Sequence, residues 1–260
     1  MRNKKLALDP EIFPETIQYL ESIKDVDYDL LPYEIASRLM NCDKTSAMTP
    51  ELFNFIVELY EEAIKLGNDY AMNDLGALYY DGRGCNQDFA KAVHYFKMAA
   101  SHGNSKAREN LGYCYYYGRS VPVDYEKAFK YFAYGAFEGE IISLYKIGDM
   151  YKNGYYVEKD LYEAFIIYSR CLEMIEQTSQ YYSAGQVYLR LGNAYLHGEG
   201  TNQDLKEALK HFQRAEIFLY NLVENGDLMY KKSLQAAIDG QAQARAEIIK
   251  QLPARNWPNE

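Results

Sequence analysis

Hydrophobic residues recur at helical spacing along most of the chain, and glycine-containing turns separate the resulting runs. In one well-marked segment, Leu75, Leu78 and Tyr79 form a first apolar stripe. A second stripe follows at Phe89, Ala92, Val93, Phe96 and Ala99. A spacing of three or four residues places such side chains on one face of an α-helix. The turn Asp81–Gly84 lies between the two stripes, and its glycines permit the positive φ angles of a helix end. The pattern therefore predicts a helical hairpin.

The hairpin pattern occurs four times. The glycine after the first apolar anchor recurs at steps of 36, 36 and 44 residues, at Gly76, Gly112, Gly148 and Gly192. Aspartates keep the same steps, at Asp88, Asp124, Asp160 and Asp204, and an alanine follows each of them four residues later. Repeats of about 20 to 50 residues are typical of solenoids, which usually act as binding surfaces and not as catalysts. We predict an all-α fold of stacked helical hairpins.

The repeated small and polar residues have structural explanations. Each repeat aspartate precedes an apolar helical run, which predicts that it caps the second helix, and Glu163 and Glu207 complete capping-box spacing at two of the four sites. The repeat glycines lie inside helices, where glycine costs about 1 kcal/mol relative to alanine, so we expect close helix packing there. Eight extra residues around 172–180 lengthen the last step, and we predict that one or both flanking helices are extended.

The segments outside the array have weaker helical patterns. Three occur around Glu11–Ile23, Pro32–Asn41 and Pro50–Leu66, and a long helix is predicted over Asp227–Leu252. Terminal units of a solenoid must cover the ends of the stack. We therefore predict an N-terminal helical cap with a degenerate repeat over residues 1–66, four repeats over 67–220, and a C-terminal capping helix and tail over 221–260. The tail contains Trp257, for which docking or disorder is favoured over a role as a partner anchor.

Composition restricts the classes of partner. The 260-residue chain carries a formal net charge of −9 with an isoelectric point near 5.1, which disfavours nucleic acids and anionic membranes and favours a neutral or basic protein or peptide. The four cysteines share no repeat position and form no CxxC pair, so neither disulfides nor a zinc site is indicated. The N-terminal apolar run is too short for a signal peptide, and a cytoplasmic location is expected.

The first repeat carries a recognisable signature. Its signature positions are Ala71, Leu75, Gly76, Tyr79, Gly82, Gly84, Asp88, Lys91, Ala92, Tyr95, Phe96, Ala99, Ala100 and Gly103. This pattern closely resembles the Sel-1-like repeat family, relatives of the tetratricopeptide repeats, and the resemblance covers residues 71–215. The second and third units depart from it at a turn glycine, having Ser120 and Tyr156. The resemblance implies a right-handed α-α superhelix whose first helices line a concave groove, and members that act as adaptors for protein complexes.

The tetratricopeptide analogy also selects candidate partner-binding residues on the first helices. The predicted groove residues are Asn73, Tyr80, Glu109, Tyr113, Tyr116, Tyr145, Asp149, Lys152 and Asn193. Tyrosine brings apolar area together with a hydrogen-bonding tip, which suits recognition of a peptide or a helix. Many of the 27 tyrosines also occupy packing positions, so each predicted groove tyrosine has a structural alternative.

No catalytic constellation is evident. The four histidines have no metal-ligand spacing, and neither a nucleophile elbow nor a phosphate loop appears. Three functions remain open at this point: a protein-interaction adaptor, which we favour; a binder of small molecules or cell-wall fragments; and a hydrolase such as a β-lactamase-like enzyme. Cysteine-rich secreted members of the family have been linked to β-lactam binding, but this chain lacks paired cysteines. We expect no enzymatic activity, no cofactor and no metal.

Overall fold

A computed structural model describes residues 8–23, 32–42 and 48–251. Within these residues all regular structure is helical. The α-helices, numbered in chain order, are α1 Pro14–Ser22, α2 Pro32–Asn41, α3 Pro50–Lys65, α4 Asp69–Asp81, α5 Phe89–Ser101, α6 Ser105–Tyr117, α7 Tyr125–Phe137, α8 Ile141–Asn153, α9 Leu161–Thr178, α10 Ala184–His197, α11 Leu205–Glu224 and α12 Lys231–Gln251. Short 3-10 segments, Tyr181–Ser183 and Leu228–Tyr230, precede α10 and α12. The predicted all-α fold of helical hairpins is confirmed.

The chain divides into two compact units, residues 1–131 and residues 132–260, and the division falls within α7. In the first unit, α2 packs on α3, α4 packs on α5, and a core that includes Leu39, Ile56 and Leu75 lies among these helices. In the second unit, α8 packs on α9, and α10 and α11 pack on each other and on α12. Phe212 and Leu219 are fully buried in the core of that second group.

The repeat aspartates begin the second helices, as predicted. The carboxylates of Asp88, Asp124, Asp160 and Asp204 each accept hydrogen bonds from backbone N–H groups in the first turn of the following helix. Their own N–H groups donate to the carbonyls of Tyr79, Tyr115, Tyr151 and Tyr195 on the preceding helices. These bonds tie the two helices of each hairpin together. In a capping box, Glu163 and Glu207 would accept hydrogen bonds from the backbone N–H groups of Asp160 and Asp204. Those N–H groups already donate to the preceding helices, so the part of the predicted capping boxes that involves the glutamates was wrong.

The internal repeat glycines allow close packing. A Cβ atom at Gly76 would lie 2.7 Å from the ring of Phe96, and one at Gly192 would lie 2.8 Å from the ring of Phe212. Both rings are almost completely buried and cannot move aside without disturbing the core. The expectation that these glycines permit close helix contact is confirmed at both positions.

The eight extra residues extend one helix and add a turn. Helix α9 has 18 residues, whereas α5, α6 and α8 have 13 each, and the 3-10 segment Tyr181–Ser183 follows it. Helix α10 has 14 residues, so most of the lengthening falls in α9. At the C-terminal end, the predicted long helix is divided into the 3-10 segment at 228–230 and α12. Trp257 lies outside the described residues.

Ser120 and Tyr156 stand where the other repeats have a turn glycine, and both keep the positive φ angle of that glycine. Ser120 has φ 55° and Tyr156 has φ 68°, close to the values of 80° at Gly84 and 74° at Gly200. A side chain in this left-handed region costs roughly 1 kcal/mol or more. The turn geometry is therefore imposed by the hairpin, and two of the four repeats keep it at a local cost.

Candidate functional site

The first helices of the first unit present a solvent-facing stripe. In the first unit it comprises Tyr70, Asp74, Ala77 and Asp81 on α4, and Lys106, Asn110, Tyr113 and Tyr117 on α6. All eight residues are half-buried or exposed. Their spacing of four, three and four residues is that of one helix face. We call this set the first-helix stripe; the equivalent positions on α8 and α10 include Lys146, which is buried, and Asp149, Arg190 and Asn193, which are half-buried.

The structure places the predicted groove residues in two environments. Asn73, Glu109 and Tyr145, three residues before a repeat glycine, are only 7%, 2% and 6% exposed. The other six are half-buried: Tyr80, Tyr113, Tyr116, Asp149, Lys152 and Asn193. The first three leave little surface for a partner. The next residue along each helix points about 100° further around the helix axis. In the first unit these next residues are Asp74 and Asn110, which are polar and more accessible.

A row of hydrogen bonds connects consecutive first helices in the first unit. The side-chain amide of Asn110 donates to Oδ1 of Asn73 at 3.0 Å, and the amide of Asn73 donates to Oδ1 of Asp74 at 3.1 Å. The hydroxyl of Tyr33 on α2 donates to Oδ2 of Asp74 at 3.3 Å. The row therefore links α6, α4 and α2, and it explains why Asn73 is buried.

Asp74 lies in an unusual electrostatic environment. Burial raises the pKa of its carboxyl, and the hydrogen bonds from Asn73 and Tyr33 oppose that shift only in part. Burial, and then the adjacent carboxylate, raise the pKa of Tyr33 to about 12. Across the residues that the structure describes, both side chains that donate to Asp74 are uncharged, and no cation forms an ion pair with it.

Tyrosine rings lie on the same three helices as this polar row. The rings of Tyr33 and Tyr70 have centroids 6.1 Å apart, and Tyr70 is 61% exposed. On α6, the rings of Tyr113 and Tyr117 stack with centroids 6.2 Å apart and an angle of 9° between their planes. Exposed tyrosines of this kind supply contact area at low entropic cost, because only two side-chain torsions become fixed.

In the second unit the stripe contains a bidentate ion pair. Nε and Nη2 of Arg190 on α10 each donate to a carboxylate oxygen of Asp149 on α8, at 2.6 Å in both cases. The hydroxyl of Tyr168 donates to the same carboxylate at 2.9 Å. The guanidinium carbon lies 4.2 Å from the ring centroid of Tyr145. The guanidinium is thus held between a carboxylate and an aromatic face.

The pKa directions in this pair follow from its geometry. Burial alone would raise the pKa of the Asp149 carboxyl, but Arg190, followed by Lys146 and Tyr168, holds that pKa below its ordinary value. Burial likewise acts against the charge on Arg190, and Asp149 outweighs it, so the pKa of Arg190 is raised. Both groups therefore remain charged over the ordinary pH range.

Two further predicted residues of the second unit have partners within the protein. The ammonium group of Lys152 forms an ion pair with the carboxylate of Glu199, which follows α10. The side-chain amide of Asn193 donates to the carbonyl of Leu189 at 2.8 Å. Asp149 and Lys152 therefore connect α8 with α10 and the turn that follows it, whereas the bond of Asn193 lies within α10. In the second unit, two of the predicted polar residues, Asp149 and Lys152, thus contribute to contacts between neighbouring repeats.

Sequence reasoning missed Asp74 and Arg190. A signal was present, because the position two residues before the repeat glycine is polar in every repeat: Asp74, Asn110, Lys146 and Arg190. Hydrophobic spacing alone did not indicate that Asp74, Asn110 and Arg190 at this position bond to an earlier helix. In the described part of the chain no group of histidine, cysteine and acidic residues could hold a metal ion. Within the same residues, none of the helices has the length and apolar character needed to cross a membrane.

Comparisons with known proteins agree with this architecture. The Sel1 repeat family profile matches residues 69–104, 105–136, 141–170 and 186–216. A search of curated proteins finds no match. Among solved structures, a Sel1 repeat protein from Oxalobacter formigenes is 22% identical with a TM-score of 0.61, and the match covers 89% of this chain and 93% of that one.

A second similar structure is a protective antigen with an SLR fold from uropathogenic Escherichia coli. It is 24% identical with a TM-score of 0.51, and the match covers 89% of this chain and 56% of the antigen. At these identities the likeness concerns the fold, an all-α helical repeat solenoid. The four matched repeats and the common fold lead to one conclusion: the chain is a Sel1-like repeat protein.

Proposed function

We propose that the protein is a non-enzymatic interaction scaffold that binds a peptide or a partner protein along its first helices. The family profile supports the general part of this proposal, because Sel1 repeats typically mediate protein interactions. The observation that supports the location is the first-helix stripe of the first unit. There, the exposed Tyr70 and Tyr117 and the half-buried Tyr113 lie beside charged and amide side chains on two consecutive first helices.

Tyr70, Tyr113 and Tyr117 carry the argument for a binding surface. Tyr70 and Tyr117 are 61% and 47% exposed, although tyrosine has enough apolar area to favour burial. Interface hot spots are enriched in tyrosine, tryptophan and arginine. The stripe therefore has the composition of a protein-binding surface, with polar neighbours that provide specificity.

The structure offers less support for a small-molecule site. A depression of about 470 Å³ is lined by Ile166, Ser169, Arg170, Glu173, Met174 and Gln177, all on α9. A cavity of about 10 Å³ lies beside Arg190 and Tyr168. Small-molecule sites usually enclose most of the ligand surface, which residues of one helix cannot do. We therefore retain the scaffold as the proposed function.

Selection from a displayed library of random peptides, followed by titration calorimetry, tests this proposal. The test variant is Tyr70→Ala/Tyr113→Ala on the stripe. The matched control is Tyr162→Ala/Tyr220→Ala, which removes two exposed tyrosines from second helices, 64% and 52% exposed. We expect the stripe variant to bind selected peptides at least about tenfold more weakly, since truncated hot spots often cost more than 1 kcal/mol.

The control should bind as the wild-type protein does, and both variants should keep the wild-type circular dichroism spectrum. Equal affinities for the two variants would place the binding site away from the first-helix stripe. Failure to select any peptide that competes for one common site would contradict the scaffold proposal itself.

A further inference from the structure

The second unit shows how this protein binds a guanidinium group. Arg190 makes a bidentate contact with Asp149, and its planar group lies over the ring of Tyr145, with the ring of Tyr168 at 6.0 Å. The elements of the arrangement are a partly buried carboxylate on a first helix, a tyrosine hydroxyl bonded to that carboxylate, and an aromatic face. These elements satisfy both the charge and the flat shape of arginine.

The first unit contains the same elements around Asp74. Its carboxylate is partly buried on the first helix α4 and accepts a hydrogen bond from the hydroxyl of Tyr33. The exposed ring of Tyr70 lies one helical turn before Asp74, and it is also next to the ring of Tyr33. The carboxylate and the two rings thus converge at one place on the surface.

No guanidinium or ammonium group occupies this place in the described residues. The cations on neighbouring segments are directed elsewhere: Lys106 donates to Glu109 at 2.7 Å, and Arg83 interacts with Asp81 and Tyr60. Only neutral groups donate to the Asp74 carboxylate. A buried charge that lacks an opposite charge is costly, and a cation brought by a partner would reduce that cost.

We propose that Asp74, Tyr33 and Tyr70 form a recognition site for an arginine side chain of a partner protein. The inference rests on the proposed scaffold function and specifies one residue of the partner. The guanidinium group binds the free edge of the Asp74 carboxylate and lies against the exposed ring of Tyr70. Arginine is favoured over lysine because its planar group bonds to a carboxylate and stacks on an aromatic face at the same time. An arginine-bearing partner also suits a chain of net charge −9.

The site is tested with N-acetyl-L-arginine amide as the probe and N-acetyl-L-citrulline amide as its neutral isostere. Binding is followed by NMR chemical shifts of the ring resonances of Tyr33 and Tyr70 in the full chain. We expect saturable shifts with the arginine probe and none with the citrulline probe. Asp74→Asn should weaken the arginine probe at least fivefold, and Tyr70→Ala should weaken it as well.

Glu61→Gln is the control, since it removes the same charge from an exposed side chain of α3 in the same unit, outside the first-helix stripe. It should leave the affinity of the arginine probe within twofold of the wild-type value. Asp74→Asn is expected to fold normally because asparagine has the same shape and removes a desolvated charge. Urea unfolding of both variants checks this expectation.

Three results would overturn the inference: equal affinity of Asp74→Asn and wild type, equal shifts from the citrulline probe, or an equal loss of affinity in Glu61→Gln. Its failure is distinguishable from failure of the scaffold proposal. If library peptides bind the stripe but are unaffected by Asp74→Asn, only the arginine site is wrong. If the arginine probe binds at Asp74 while no library peptide binds the stripe, the cation site stands and the scaffold proposal fails.

Discussion

The ion pair between Asp149 and Arg190 permits a quantitative test of how neighbouring first helices are held together. Substitution Asp149→Asn keeps the shape of the side chain but removes its charge. The two side chains are only 14% and 17% exposed, so the guanidinium left behind cannot be fully hydrated without movement of α8 or α10. It would also face the amide NH₂ group or a single amide oxygen in place of the two carboxylate oxygens that it now contacts.

Loss of one partner from a buried ion pair costs about 3 to 5 kcal/mol. Residual solvent contact reduces that penalty, and we expect Asp149→Asn to lower the unfolding free energy of the second unit by about 3 kcal/mol. Urea unfolding followed by circular dichroism measures this change. An unchanged dependence of the unfolding free energy on urea concentration would show that the unfolded state is unaltered. Asp204→Asn is the control, because Asp204 is an exposed helix cap at which asparagine serves equally well.

The control should change the unfolding free energy by less than about 0.5 kcal/mol. The pKa of Asp149 is lower in the folded state than its ordinary value of 3.8. Its contribution to stability is therefore present at a pH above 3.8 and is lost as the pH falls through the pKa of the folded state. The difference in unfolding free energy between the wild-type protein and Asp149→Asn should therefore decrease at acidic pH. The double variant Asp149→Asn/Arg190→Met should recover part of the lost stability. A cost for Asp149→Asn no larger than that for Asp204→Asn would refute the reasoning.

Other consequences of the structure are open to simple measurements. Ser120→Gly should raise the unfolding free energy by up to about 1 kcal/mol, because Ser120 has φ 55°, and a decrease in urea stability would show that the turn is not strained. Burial lowers the pKa of His211 from 6.5, so the folded state holds it neutral and stability should fall as the pH drops below that value. His211→Tyr, which places a tyrosine where Tyr95 and Tyr131 stand in earlier repeats, should remove this loss, and unfolding titrations across that range provide the check. Burial raises the pKa of Cys114 and of Cys171 to about 12, so native-state alkylation should modify the more accessible Cys85 first, as peptide mass spectrometry can detect.

Much of the hairpin could be predicted from sequence because its determinants are local. An aspartate caps the helix that begins after it, and a glycine with positive φ ends the helix before it, so both signals act within a few residues. The repeated spacing of Asp88 and its equivalents is therefore enough to indicate where the second helices begin. The capping-box prediction at Glu163 and Glu207 failed for a tertiary reason: the N–H groups that those side chains would accept from are bonded to the preceding helix.

The sequence by itself determined that the chain is a repeat array of helical hairpins, since periodicity, caps and turn residues are written into each unit. Tertiary structure decided which face of each first helix is available. Asn73 and Asp74 are adjacent in sequence, yet the rotation of about 100° per residue leaves one buried and the other accessible. Tertiary structure also decided which charges are paired, because Asp149 and Arg190 are 41 residues apart and meet only when α8 packs beside α10. Local signals cannot specify such contacts, because they depend on how one hairpin is oriented on the next.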